Sequence, residues 1–286
     1  QIHNMISDQL NYMLADQINH LTTAQVSAMT SVQLSGLSTD LTVALSSLQI
    51  SKLSSSQLNN LTSEQLSGLT SDQAAGLTSA QLAVMTAANF AVLSTDVVGN
   101  MTTAQLQGLT TAQVVAMTTD QAAALTSTQI KALTTAQLTK LESQDLNAFA
   151  TDEITELSAT QLAGLKTSQI NNLSTELLTA LTSAQVKMLT TAQINKMTTD
   201  QFNSLLSDQV KELTTAQVTS MTTAQLSNLD SDLLGAITST QFAKLSSAQI
   251  NNLTTAQLAS LTSDQMSGLS SAQLSTITTA NFAKLS

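Results

Sequence analysis

The chain contains no cysteine, proline or tryptophan, no arginine among its nine basic residues, and only Tyr12 and five phenylalanines as aromatics. Without cysteine there is no disulfide framework and no thiolate chemistry. That suits export, where free thiols are liabilities. Without arginine, and with a net charge of -10, the chain has no forked donors for phosphate or guanine. It is a poor partner for nucleic acid and for an anionic membrane surface. No apolar run approaches membrane-spanning length, which argues against membrane insertion. No signal peptide is visible, although Gln1 as the first residue leaves room for a segment removed ahead of it.

What is present is repetition. Residues 102–125 read TTAQLQGL TTAQVVAM TTDQAAAL, and 214–229 read TTAQVTSM TTAQLSNL. The unit is an octad: Thr/Ser, Thr/Ser, Ala/Asp, Gln, apolar, any, any, Leu/Met. Phased from Ile6, 35 complete octads run to Leu285 without an insertion or deletion. The eighth position is Leu, Met, Ile or Phe in all 36 occurrences from Met5 onward, and the fourth is Gln in 28 of 36. The fifth is a large apolar residue except at Thr42, Ala74 and Ala122. Such strictness implies a geometric repeat in which each octad occupies an equivalent place. The expected organisation is a single array over residues 1–286.

One continuous helix cannot hold this pattern. At about 100° per residue, eight residues overshoot two turns by about 80°, so the apolar pair would wander round the cylinder. A strand fails too, because the two apolar positions lie three apart. A helix restarted in every octad fits. In Thr102-Thr103-Ala104-Gln105-Leu106, Thr102 supplies an N-cap hydroxyl. Gln105 sits where a capping-box partner reaches back, and Met101 and Leu106 occupy the positions of a hydrophobic staple.

The charges test this independently. Thirteen of the 19 acidic residues fall at the third position, the first turn of the proposed helix, and eight of nine lysines at the sixth or seventh, including Lys284. Acid at the start and base at the finish complement a helix dipole that begins afresh in each octad. Glu156 and Glu212, at the seventh position, run against the trend. That position is Gly or Asn in 12 of 36 cases, as at Gly36, Asn60 and Gly268. The expectation there is a left-handed turn that ends the helix.

Helices this short are unstable alone. Stacked coils can bury the fifth and eighth positions along one axis, each coil stabilised by its neighbours. The predicted fold is therefore all-α: a solenoid or superhelix of very short helices, one per eight-residue repeat. The number of octads per coil is not readable. A longer period, recurring at every seventh octad, is suggested by STDLTVAL at 38–45, STDVVGNM at 94–101 and ATDEITEL at 150–157. Neither end carries a polar capping unit, so the expectation is a window on a longer array or copies stacked end to end.

Octads such as Leu133-Thr134-Thr135-Ala136-Gln137-Leu138 resemble the LTTAQ-type repeats of very long bacterial proteins that are secreted or attached to the cell surface. The resemblance covers the whole chain and is compositional and periodic. It implies an extracellular or cell-surface location, a filament, adhesin-stalk or matrix role, and no catalytic residues.

Candidate chemistry is sparse. His3 and His20 lie in no metal-ligand spacing, and no base stands beside a recognisable nucleophile. The expectation is no catalytic site and no cofactor. The one metal candidate is a calcium patch from Glu142, Asp145, Asp152, Glu153 and Glu156, in the stretch where the octad is weakest. A solvated acidic surface is the plainer account of those residues. The Gln column is expected to be structural, as a buried ladder or as backbone caps. Asn60, Asn100, Asn172 and Asn252 match the N-glycosylation pattern, which an Asn at the seventh position meets wherever the next octad opens with Thr or Ser. The favoured function is a structural extracellular repeat protein that associates with itself or with neighbouring repeats. The alternative is a binding module whose hydroxyl-rich face holds a surface, glycan or ice. An enzyme is a distant third.

Overall fold

The structure, a computed structural model, describes residues 2–283. Gln1, Lys284, Leu285 and Ser286 lie outside the described residues, and with them the helix-end place expected of Lys284. Each octad carries one helix of four to six residues that begins at its second position, as in Thr103–Gln107, Thr111–Ala116 and Thr135–Leu138. No strand occurs among the described residues. The first position is the N-cap. Thr102 is extended there, with φ -68° and ψ 155°, and its hydroxyl accepts the Gln105 N–H. The chain divides into two compact units, Gln1–Phe149 and Ala150–Ser286. Each is an all-α helical solenoid.

Within each unit a helix packs on the helix three octads further along. Ser47–Ile50 meets Ser71–Gly76 in the first unit, and Ser183–Met188 meets Ser207–Glu212 in the second. Hydrogen bonds between coils join residues 23 to 31 apart in sequence, most of them 25 to 31. One coil therefore takes between three and four octads. Every fifth-position residue from Leu10 to Leu258 is buried, as is every eighth-position residue from Met29 to Leu253. The staple pair of the sequence is thus the core. Burying a Leu-sized side chain contributes about 1.5–3 kcal/mol, which is what lets helices far below independent stability persist. The buried exception Thr42 is fully satisfied: its Oγ1 donates to the Ser38 carbonyl at 3.1 Å and accepts from Gln65 Nε2 at 3.1 Å.

The helix ends differ from expectation. No described residue has a positive φ. Gly36 and Asn60 are right-handed, with φ -86° and -98°, and the corner is made by an extended eighth residue such as Leu77, with φ -65° and ψ 126°. Gly and Asn serve other purposes there. A Cβ on Gly76 would collide with the Ser47 carbonyl of the preceding coil, so Gly permits close approach. Asn instead caps its own helix: Asn60, Asn100, Asn172 and Asn252 each donate Nδ2 to the carbonyl four residues back at 2.8 Å. These are the four glycosylation candidates, and their amide nitrogens are engaged in those caps.

Removing one cap tests the restart of the helix. Thr134→Ala deletes the hydroxyl that accepts the Gln137 N–H at 3.2 Å. It is expected to cost about 1 kcal/mol, read as a lower urea midpoint.

Candidate functional site: the glutamine column

The fourth-position glutamine does two jobs. Its Oε1 accepts the backbone N–H of its own N-cap, completing the capping box that the sequence suggests: Thr110 to Gln113 at 2.8 Å, Thr190 to Gln193 at 2.7 Å. Its Nε2 crosses to the preceding coil and donates to carbonyls 28 and 31 residues earlier. Gln113 takes those of Met85 and Leu82, and Gln193 those of Leu165 and Leu162 at 2.8 Å each. The pattern runs from Gln33 to Gln137 in the first unit and from Gln185 to Gln273 in the second. One amide therefore closes the start of one helix and the open end of another. The column is buried: Gln113 has 0% and Gln193 1% of its surface exposed. Gln9, Gln17 and Gln25, for which no preceding coil lies among the described residues, keep the cap bond but are exposed. Burial of this residue thus comes from stacking, not from the helix.

The glutamine half of the box outlasts the hydroxyl half. Ile6, Leu14, Lys166 and Leu206 stand at N-cap positions and accept no hydrogen bond through their side chains. Their N–H groups still donate to Gln9, Gln17, Gln169 and Gln209 at 2.7–3.0 Å.

The acidic stretch is drawn into the same column. Asp145, 3% exposed, takes the glutamine position. It accepts the Glu142 N–H at 3.0 Å and the Thr119 hydroxyl at 3.1 Å. Glu153 accepts the Ala150 N–H at 2.7 Å. Glu142 and Asp152 are exposed and Glu156 is half-buried. Glu142 and Asp145 belong to the first unit and the other three to the second. Among the described residues no three acidic or histidine side chains gather as a metal cage would require. Two of the five carboxylates act as shortened or charged glutamines. Their fourth-position register was the signal for that role.

The outer surface holds the rest. His20 Nδ1 lies 2.6 Å from the Asp16 carbonyl and His3 Nδ1 3.1 Å from the Ala28 carbonyl; both residues are exposed. Second-position hydroxyls touch the next coil in places, as Ser31 Oγ does Ser56 Oγ at 3.2 Å. Glu212, against the dipole trend, has a partner in Lys187 of the coil before, at 3.1 Å. Both side chains are about half exposed, so the pair is worth at most about 1 kcal/mol. A shallow cleft of about 370 Å³ in the second unit is lined by Ser239, Thr240, Ala243, Lys244, Ser267 and Gly268, with no histidine or carboxylate. No helix among the described residues is long and apolar enough to cross a membrane.

A family model described as the ALTTAQ repeat matches residues 98–135, 138–175, 178–215 and 234–271, together just over half of the chain. The chain belongs to the ALTTAQ repeat family. All four matched segments open at a fifth octad position, at Val98, Leu138, Leu178 and Leu234, so the family match follows the octad register. The ALTTAQ unit is therefore, in three dimensions, a cap, a short helix and a glutamine that ties two coils together. No match is found among curated proteins.

Proposed function

We propose that this ALTTAQ array is a structural protein of the cell exterior, a rigid segment of a stalk, filament or matrix fibre, and not an enzyme. The observation that carries this is the glutamine column. Its bonds repeat along the stacking direction in each unit, so that neighbouring coils are joined by buried hydrogen bonds as well as by apolar packing. A stack built this way resists separation of its coils. Its chemistry-bearing groups are also committed to architecture. First-position hydroxyls accept helix N–H groups, and both histidines face backbone carbonyls. The acidic, cysteine-free composition suits a location outside the cell. The natural partners are neighbouring repeats of the same chain or further copies of it.

Electron microscopy of the native material tests the reading. Extended threads of uniform width are expected. Short compact particles that bind a glycan or ice, and lose that binding when exposed hydroxyls of one face are replaced while the helices persist, would instead establish the binding-module alternative.

A further inference from the structure

The octads that lack glutamine follow a rule of their own. Outside the two carboxylate octads, the fourth position departs from Gln at Leu41, Asn89, Val97, Leu177, Leu233 and Asn281. Leu and Val cannot accept the N-cap N–H, and Asn89 and Asn281 turn their side chains elsewhere, to the Asn59 and Asn251 carbonyls. In four cases the acceptor comes from the preceding coil. Ser38 N–H donates to Asn11 Oδ1 at 2.9 Å and Thr86 N–H to Asn59 Oδ1 at 2.9 Å. Asp230 N–H donates to Asn203 Oδ1 at 3.0 Å and Thr278 N–H to Asn251 Oδ1 at 3.1 Å. Each asparagine stands at a sixth position, 27 residues before the N-cap it serves. Its Nδ2 at the same time donates to a helix-end carbonyl 25 residues ahead, at 2.8–2.9 Å. A fifth asparagine, Asn147, stands at the same spacing ahead of Ser174, the N-cap in the octad of Leu177; Val97 is the exception, with Ser67 at that place.

Asparagine at the sixth position is not by itself enough. Asn171 and Asn195 make the same forward Nδ2 bond, to Lys196 and Ser220. The N-cap N–H groups that correspond to them, at Thr198 and Thr222, belong to Gln201 and Gln225 at 2.9 and 2.7 Å. The acceptor half is recruited where the glutamine is missing.

We infer that the sixth-position asparagine is a second clamp between coils, exchangeable with the fourth-position glutamine of the coil that follows. One residue of such a pair must supply the acceptor for the N-cap N–H. With glutamine the link runs backward from the later coil through its amide. With asparagine it runs forward from the earlier coil, and the fourth position is released for a buried apolar side chain such as Leu233 or Leu41. The asparagine is a positioning residue, and the exchange gives the array a means of varying its core without opening a helix start.

Amide hydrogen exchange on the full chain, resolved to single residues, tests this. Asn203→Ala should speed exchange at Asp230 by about tenfold, the loss of one hydrogen bond. Asn171→Ala should leave Thr198 within about twofold. Adding Leu233→Gln to Asn203→Ala should restore the Asp230 amide. A transplant in the first unit guards against a failed fold: Gln113→Leu should expose the Thr110 amide, and Ala83→Asn with Gln113→Leu should protect it again. Unchanged exchange at Asp230 in Asn203→Ala, equal exposure of Thr198 in Asn171→Ala, or no rescue in either double variant would overturn the inference.

Discussion

Gln113→Ala is expected to lower stability by about 3–5 kcal/mol, the summed cost of several stranded polar groups. Gln113 is 0% exposed. Its loss strands the carbonyls of Leu82 and Met85 in the buried interior and leaves the N–H of Thr110, an exposed residue, without its acceptor. An unpaired buried polar group costs about 1–3 kcal/mol. The Leu82 carbonyl retains one bond, from the Met85 N–H at 3.0 Å, which keeps the total below three full penalties. Gln107 is the control. It is the same residue type in a solvated setting: exposed, with one bond from Nε2 to the Ala132 carbonyl at 2.9 Å. Gln107→Ala should cost no more than about 0.5 kcal/mol. Urea unfolding of both variants decides the matter. Equal losses would mean that the column is not a stabilising element.

How much of this was legible beforehand depended on whether an interaction is local. The capping box of Thr102 and Gln105, the staple pair Met101 and Leu106 and the first-turn acids span a few residues, and each appears in the structure as the octad implies. The glutamine column was legible only in its local half. That Nε2 of Gln113 meets Leu82 and Met85 depends on coil size, which the octad period does not encode. The helix end is right-handed where the sequence suggests a left-handed turn, for the same reason. Gly76 and Asn60 occur at a corner, and the sequence alone does not separate a residue needed for its φ from one needed because another coil passes close by. In the acidic stretch the register carries more than the composition: Asp145 and Glu153 sit at the fourth position and each accepts its N-cap N–H. Asn203 left a trace, but only as a fixed spacing to Asp230, invisible until the coils are stacked.

Phe202→Ala carries the second large effect, expected at about 3–5 kcal/mol. Phe202 is 1% exposed, and its helix, Thr199–Asn203, packs against Thr175–Ala180 and Thr223–Ser227. The cost has a transfer part and a cavity part, and the second depends on how far the neighbours relax. Ala122 is buried at the equivalent position with no exposed surface, so the octad geometry itself accepts alanine when the surrounding side chains are chosen to fit. The penalty at Phe202 therefore measures packing specific to that coil. Because stability in a solenoid is close to a sum of nearest-neighbour terms, the damage should be local. Amide exchange should rise in Thr199–Asn203 and the two helices it touches, and stay unchanged around Phe90 in the first unit. A uniform rise over the whole chain would show instead that the array unfolds as one cooperative block, and that the coils are coupled beyond their immediate neighbours.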